Sequence, residues 1–423
     1  YPSMNVRERR AVVVGGGIVG ATAAYELTRA GWDVTVLDRA RFGEGAAIGN
    51  CGLISPSHIL PLAEPGVIKK TLRAMLRPDS PFAVKPGFNL ALWSWLLNFA
   101  RRCNPRDMRD AAAGIQALLE SSLARYQELL NIEDLDCEWE SKGLLMPFRD
   151  PAALEAYAET DHLLATEFGY PARRFDGREL VDLEPALKPG LAGGWLYEKD
   201  AHLRTDRLLA SWRRILGQRG AMIREDCTAA GFTGSDGRAR AVVTDRGELI
   251  PADAVVVAAG ALTPMLNEQL GARIPIQPGK GYSLTMPRPA TCPTIPLLFL
   301  EKRVIATPFQ SGYRLGSTME FAGYDATLNR RRLQLLKKGA EPYLKEPYCE
   351  PVEQEWFGWR PMTYDSLPII DFAPRFANVL IAAGHGMLGL TMAPGTARLV
   401  SELLARTPPH VDPRPYRLSR FAV

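Results

Sequence analysis

The stretch Val12-Val13-Val14-Gly15-Gly16-Gly17-Ile18-Val19-Gly20 decides how this chain begins to fold. The β-branched run at 11–14 feeds directly into glycines, so it reads as a short buried strand and not as a helix. Residues 20–30 (GATAAYELTRA) are small on one side and apolar at helical spacing, and Gly31 stands where a C′ glycine ends a helix. A second buried strand at 34–37 closes on Asp38. Strand, glycine turn, helix and strand in succession form a βαβ unit, the module of a parallel sheet.

Gly15, Gly17 and Gly20 satisfy the G-x-G-x-x-G spacing, with Val19 inside it. The first glycine permits a tight turn, the second lets backbone approach a pyrophosphate, and the third lets the helix pack close to the strand. The helix N-terminus then offers free N–H groups and a positive dipole end to that anion. Asp38 at the end of the next strand suits ribose hydroxyls and disfavours a 2′-phosphate. In that context the glycines indicate a bound dinucleotide rather than a merely structural turn.

The 423 residues are enough for two domains. Hydrophobic residues at 46% and charged residues at 23% fit an ordinary globular chain, and a net charge of +4 gives no reason to expect nucleic acid as a partner. The six cysteines are scattered without a Cys-x-x-Cys pair or a Cys/His cluster, so neither a disulfide framework nor a metal site is expected, and a reducing, cytoplasmic setting is. Residues 1–3 before Met4 are read as an expression remnant. No apolar run is long enough to span a bilayer. The segment 88–100 (FNLALWSWLLNFA), followed by Arg101 and Arg102, suits either a lipid interface at the inner face of the membrane or a helix docked on its own core.

Further along, residues 60–130 turn helical, broken by Pro78, Pro81, Pro86 and Pro105. Strands are expected at 143–148, 221–224, 239–244, 254–258, 281–286, 304–308, 313–318 and 379–382, and helices at 151–168, 205–217 and 328–344. Buried strands beside glycine turns recur near 11–20, 254–260 and 379–389, which points to one sheet assembled from distant segments. A nicotinamide enzyme would complete its site with a second βαβαβ half directly downstream, whereas this chain departs into helices after Pro56. Residues 46–56 (AAIGNCGLISP) are suited to run beside a flat ring, and Gly384-His385-Gly386-Met387-Leu388-Gly389-Leu390-Thr391 repeats the strand–glycine–helix pattern. A second helix N-terminus would stabilise negative charge on a reduced flavin, which a nicotinamide does not need. The cofactor is therefore read as non-covalent FAD.

VVVGGGIVG (12–20), NCGLISPSHILPLAEPG (50–66), GSTMEFAGYDATLNRRR (316–332), WRPMTYDSLPII (359–370) and GHGMLGLTMAPGTARLVSELL (384–404) resemble the D-amino-acid oxidase superfamily, and within it the bacterial D-amino-acid dehydrogenase small-subunit family. The resemblance implies an α/β fold: a Rossmann-like FAD-binding domain (4–60, 200–272 and 356–423) interleaved with an α+β substrate domain (61–199 and 273–355) containing a mixed or antiparallel sheet. It implies that Gly15, Gly17, Val19 and Gly20 hold the pyrophosphate, with Asp38 and the adjoining Arg39 at the ribose. Asn50, Gly52 and Leu53 would line the isoalloxazine, Ala229 the adenine, and Ala259 and Gly260 the diphosphate. Met387, Leu388, Gly389, Leu390 and Thr391 would approach the pyrimidine edge. Arg360 would bind the substrate carboxylate.

A planar, always-charged guanidinium suits that task independently, the alternative being a pair with a structural acid such as Asp365. Tyr282 is expected either as a second hydrogen bond to the carboxylate or as a packing tyrosine. His385 and His58 would shape the pocket or relay a proton, or else be satisfied core histidines. Cys51 is expected to be a small buried thiol. The implied reaction is oxidation of a D-amino or D-imino acid, with a lean toward D-proline or hydroxy-D-proline drawn from PSHILPLAEPG. Electrons would pass to a quinone or another non-oxygen acceptor. A glycine- or sarcosine-type oxidase using O2, and a flavin-binding subunit of a larger complex, stay open as alternatives.

Overall fold

The computed structural model describes residues 9–69, 82–84 and 90–421. Residues 1–3, Pro78, Pro81, Pro86 and the first two residues of the apolar segment 88–100 lie outside them.

Strand β1 (Arg10–Val14) is the centre of a six-stranded sheet. It pairs in parallel with β2 (Asp33–Leu37) on one side and with β13 (Ala254–Val257) on the other. Beyond β2 lies β9 (Met222–Arg224); beyond β13 lie β20 (Val379–Ala383) and an antiparallel edge strand, β19 (Ile369–Phe372). The three glycine-flanked strands expected from sequence thus lie side by side. Period-two alternation sorts β1: Ala11 and Val13 face the helices, while Val12 and Val14 face a three-stranded antiparallel sheet of β10 (Ala229–Ser235), β11 (Arg238–Thr244) and β12 (Leu249–Pro251).

On the helical face, α1 (Ile18–Arg29) packs with α6 (Thr205–Gln218) and with α9 (Gly389–Ala405), and α9 packs in turn on α3 (Pro105–Ile132). The close α1–α9 approach rests on small residues: Ala21 and Ala24 on one helix, Ala393 and Ala397 on the other, are fully buried. Side-chain caps mark several of the helices, while α6 starts without one. Asn104 caps α3, Asp150 caps α4 (Pro151–Phe168), and Asp176 closes a capping box on α5 (Gly177–Leu183). Neither α1 nor α9 has a side-chain cap.

The second body is a mixed nine-stranded sheet. Its order is β18 (Gln354–Met362), β14 (Gln277–Met286), β17 (Gly312–Phe321), β16 (Val304–Phe309), β15 (Leu297–Phe299), β5 (Leu144–Phe148), β7 (Gly193–Tyr197) and β6 (Arg173–Asp176), with β4 (Phe82–Val84) beside β17. One face carries α8 (Arg330–Ala340) through Leu333 and Leu336. The other turns toward the first sheet. A two-stranded ladder of β3 (Leu53–Ile54) and β8 (Ala201–His202) stands between them. The expected boundary at 356 falls inside β18, and α3, within the expected segment 61–199, packs on α9. Further helices are α2 (Leu90–Arg102) and the single turn α7 (Asn267–Leu270), with 3-10 turns at Gly260–Leu266, Arg414–Tyr416 and Leu418–Phe421.

Candidate active site

The glycine turn is fixed by close contacts that no larger residue tolerates. Gly15 has φ +109°, and a Cβ there would lie 2.8 Å from the Ala258 carbonyl carbon on β13. A Cβ on Gly20 would lie 2.9 Å from the Gly15 carbonyl carbon, so the helix seats directly on the turn. Gly17, the N-terminal flank of α1, faces open space, and Val19 is half-buried behind it. The arrangement leaves the uncapped N–H groups of α1 available to an anion.

Asp38 accepts hydrogen bonds from Gly16 N (2.7 Å) and Ala40 N (2.9 Å), bracing the turn from the end of β2. Burial raises its pKa, against the lowering effect of those two N–H donors. A carboxylate has further lone pairs for hydroxyl donors. Arg39 beside it is exposed. Backbone bonds from Asp38 N to Arg224 O and from Cys227 N to Asp38 O bring the entry to β10, and hence Ala229, alongside. Ala259 and Gly260 leave β13 next to the glycine turn.

The segment 46–54 runs between the two sheets. Asn50 Oδ1 accepts from Gly52 N (2.8 Å), Leu53 pairs with His202, and Thr307 Oγ1 on β16 holds Cys51 O (2.7 Å). Thr391, in the first turn of α9, donates to Leu53 O (3.2 Å) and accepts from Ser55 N (3.3 Å). Gly386 N donates to Pro361 O (3.0 Å), which fastens the Gly384–His385–Gly386 turn to the end of β18. Residues 50–53, the uncapped start of α9 (Leu388 to Thr391, with Met387 exposed) and Arg360 are therefore brought to one place.

Arg360 lies across β14. A Cβ on Gly281 would stand 2.5 Å from its Cζ and 2.7 Å from its Nη1. Its Nη1 donates to Thr318 O (2.7 Å) on β17, where Ser317 and Thr318 take φ of +110° and +56°. Such backbone strain at a non-glycine residue concentrates at functional sites. Among the described residues no carboxylate reaches ion-pair distance of Arg360, and Asp365 is engaged by Arg420 (2.7 Å). Burial lowers the Arg360 pKa, with Cys51 the only opposing influence. Cys51 Sγ reaches to within 2.5 Å of where a Cβ on Gly316 would be, and burial raises its thiol pKa despite Arg360 and Arg314, so it is a protonated neighbour and not a nucleophile.

Tyr282, His385 and His58 are placed apart from the Arg360 guanidinium in different ways. Tyr282 alternates with Gly281 on β14 and so faces α8; it is buried in the second core, and its hydroxyl donates to Glu320 (2.7 Å). His385 is buried with Nε2 3.0 Å from Thr396 Oγ1, and burial drives its pKa down to about 3. His58 sits 3.4 Å from Ser57 Oγ, its pKa lowered to about 4 by burial and then by Arg303. Both imidazoles are thereby held toward the neutral form.

Sequence reasoning missed Arg314, Gly281 and Gly316. An arginine in a strand ordinarily reads as solvent-facing, and only the β14–β17–β18 register shows which face it takes. A separate surface trio has the distances of a nucleophilic triad: Ser121 Oγ to His410 Nε2 is 2.6 Å and His410 Nδ1 to Glu402 is 2.7 Å. Ser121 lies in mid-helix, where no backbone N–H is free to hold an oxyanion, and the trio ties the C-terminal segment to α3 and α9.

The family model described as FAD dependent oxidoreductase (DAO) matches residues 10–403. A D-amino acid dehydrogenase of Granulibacter bethesdensis is 31% identical over 98% of this chain and 100% of its own length. Another of Methylobacterium nodulans is 33% identical over 95% and 96%. The solved glycine oxidase of Geobacillus kaustophilus superposes with a TM-score of 0.76 at 21% identity, covering 98% of this chain and 100% of that one; this likeness shows the fold.

Proposed function

The chain belongs to the DAO family of FAD-dependent oxidoreductases, and from that premise we propose that it oxidises a D-amino or D-imino acid at Arg360. The observation that carries this reading is a partly buried guanidinium with no carboxylate partner among the described residues, set where the loop 50–53 and the start of α9 converge. An uncompensated cation of this kind suits a bidentate bond to a substrate carboxylate. The full-length likeness to D-amino acid dehydrogenases supports the D configuration.

The FAD site is assigned on the same basis. The open, uncapped start of α1 would hold the pyrophosphate through Gly15, Gly17, Val19 and Gly20, and Asp38 the ribose, with Arg39 at its mouth. Ala229, Ala259 and Gly260 would border the adenosine side. Asn50, Gly52 and Leu53 would flank the ring, and Met387, Leu388, Gly389, Leu390 and Thr391 would present the α9 N-terminus to its electron-rich edge. Bound FAD supplies a two-electron acceptor for the hydride leaving the substrate Cα.

The chain's own residues then do the positioning. Arg360 pins the carboxylate, and Gly281 leaves room for the guanidinium to lie flat on the sheet. The positive charges of Arg360 and Arg314 disfavour an ammonium nearby, which promotes the neutral amine that oxidation requires. The imino acid formed hydrolyses in water to a 2-oxo acid and ammonia, or persists if it is cyclic, as for D-proline or hydroxy-D-proline.

For the acceptor we favour a quinone over O2. Helix α2 seats Leu92 and Trp95 on Phe321 and on Met362, the latter two residues from Arg360, while Leu90, Trp93 and Leu97 are 83%, 56% and 54% exposed ahead of Arg101 and Arg102. That face suits a peripheral position on an anionic membrane from the cytoplasmic side. Among the described residues no helix is long and apolar enough to cross a membrane.

The test is anaerobic mixing of the purified flavoprotein with a panel of D- and L-amino acids, D-proline included. Loss of the visible flavin band with D-acids is expected; loss with L-acids alone would overturn the reading.

A further inference from the structure

Arg314 is 1% exposed, and among the described residues no carboxylate reaches ion-pair distance of it. Its Nε donates to Thr285 Oγ1 (2.9 Å), and its Nη1 to Asn50 O (2.6 Å), Ile48 O (3.2 Å) and Thr205 Oγ1 (3.2 Å). Burial lowers its pKa, with Asp206 the main opposing influence. Enclosing a cation among neutral acceptors is costly, so its partners indicate what is gained.

Those partners include two carbonyls of the segment 46–53, belonging to the peptides 48–49 and 50–51. In a trans peptide the C=O and N–H point in opposite directions. Drawing the carbonyls of Ile48 and Asn50 toward Arg314 therefore turns the N–H groups of Gly49 and Cys51 away from it. The neighbouring N–H groups are satisfied within the loop, Asn50 N by Ala47 O (3.0 Å) and Gly52 N by Asn50 Oδ1 (2.8 Å). Gly49 N and Cys51 N have no acceptor among the described residues, although Gly49 is buried. Inside a protein, N–H groups alternately satisfied and left over mark a surface meant for another acceptor.

We propose that Arg314 is a positioning residue that aims the N–H groups of Gly49 and Cys51 at the polar edge of the isoalloxazine and so favours the reduced flavin. The proposal rests on the reading that 46–53 lies along the ring. Charge-assisted bonds to a carbonyl polarise the same peptide and strengthen its N–H as a donor. Reduction makes the flavin edge richer in electrons, so these donors hold the reduced form more tightly than the oxidised one.

The experiment uses holoprotein carrying Arg314→Met or Arg314→Lys, with the midpoint potential measured against a reference dye and the visible spectrum recorded. Arg314→Met is expected to lose about tenfold in relative affinity for reduced flavin, a fall of about 30 mV for a two-electron couple, with a shifted visible band. Arg314→Lys, which keeps the charge but not the four-way geometry, is expected to fall between Met and wild type. Unchanged potentials in both variants would make Arg314 a brace only and overturn the proposal. A lowered Met variant beside a Lys variant at the wild-type potential would assign the effect to charge alone, which also overturns it. If the Met variant does not fold, the Lys variant decides: a lowered potential supports the proposal and an unchanged one overturns it. Wild-type protein that binds no FAD would instead sink the cofactor reading, a distinguishable result.

Discussion

Arg360 and Gly281 form a matched pair across β18 and β14: the guanidinium occupies the space where a side chain at 281 would begin, 2.5 Å from its Cζ. Gly281→Ala should therefore push the guanidinium off the sheet while leaving the rest of the fold intact, because the displaced group is the end of a flexible side chain. Weakening one charge-assisted hydrogen bond costs about 1.5–3 kcal/mol, so a rise in KM of roughly 10- to 100-fold is expected, with FAD retained. Steady-state kinetics beside flavin content checks this; an unchanged KM would mean that the flat placement of Arg360 does not matter.

The glycine turn yields a paired prediction. A Cβ at Gly20 would collide with the backbone of Gly15, whereas one at Gly17 meets nothing within 4 Å. Gly20→Ala should lower the melting temperature of the apoprotein. Gly17→Ala should leave it unchanged yet weaken FAD in a titration, because the new methyl would face the pyrophosphate. Asp38→Ala should likewise weaken FAD retention without changing the order of preferred substrates. Equal FAD affinity in Gly17→Ala would move the anion site elsewhere.

Asp200 gives a pH prediction with a definite sign. It is fully buried, accepts from Ser57 Oγ (2.7 Å) and Ser57 N (3.2 Å), and burial raises its pKa to about 7. A raised carboxyl binds its proton more tightly folded than unfolded, so its contribution is complete below its ordinary pKa and is lost as pH rises through about 7. Asp200→Asn removes that loss. The melting temperature of the variant, relative to wild type, should be more favourable at pH 8 than at pH 5; parallel profiles would contradict the burial of an ionising carboxyl.

The histidines supply the complementary case. With pKa values lowered to about 4 for His58 and about 3 for His385, both are neutral throughout the physiological range. His58→Gln and His385→Gln should leave the neutral-pH limb of kcat/KM where it is, whatever they do to stability. A shifted limb in either variant would restore that histidine as a proton carrier.

Much of the first sheet was legible in the sequence because its signals are local. A β-branched run, a glycine turn and an apolar helix each sit within a dozen residues, and α4 has the bounds that its Asp150 cap and its apolar spacing predict. The substrate face was less legible because it depends on register. Which of Gly281 and Tyr282 faces Arg360 follows from pairings among β14, β17 and β18 that are far apart in sequence and pass an irregularity between Lys280 and Tyr282. Tyr282, His58 and His385 are therefore legible only by residue type and nearness to glycines, and the fold buries Tyr282 and His385 and half-buries His58. Arg314 escaped notice for the converse reason: its charge suggested the surface, and only the folded chain encloses it.

In the proposed function Arg360 holds the substrate carboxylate while contributing nothing to the retention of FAD. The most direct measurement is the anaerobic rate of flavin reduction by a good D-amino acid, as a function of its concentration, in wild type and in Arg360→Met. The variant is expected to keep full flavin content while its second-order rate of reduction falls by roughly 100-fold or more, the scale of losing a bidentate charge-assisted pair. A variant that reduces its flavin at the wild-type rate, or that emerges without flavin, would contradict it.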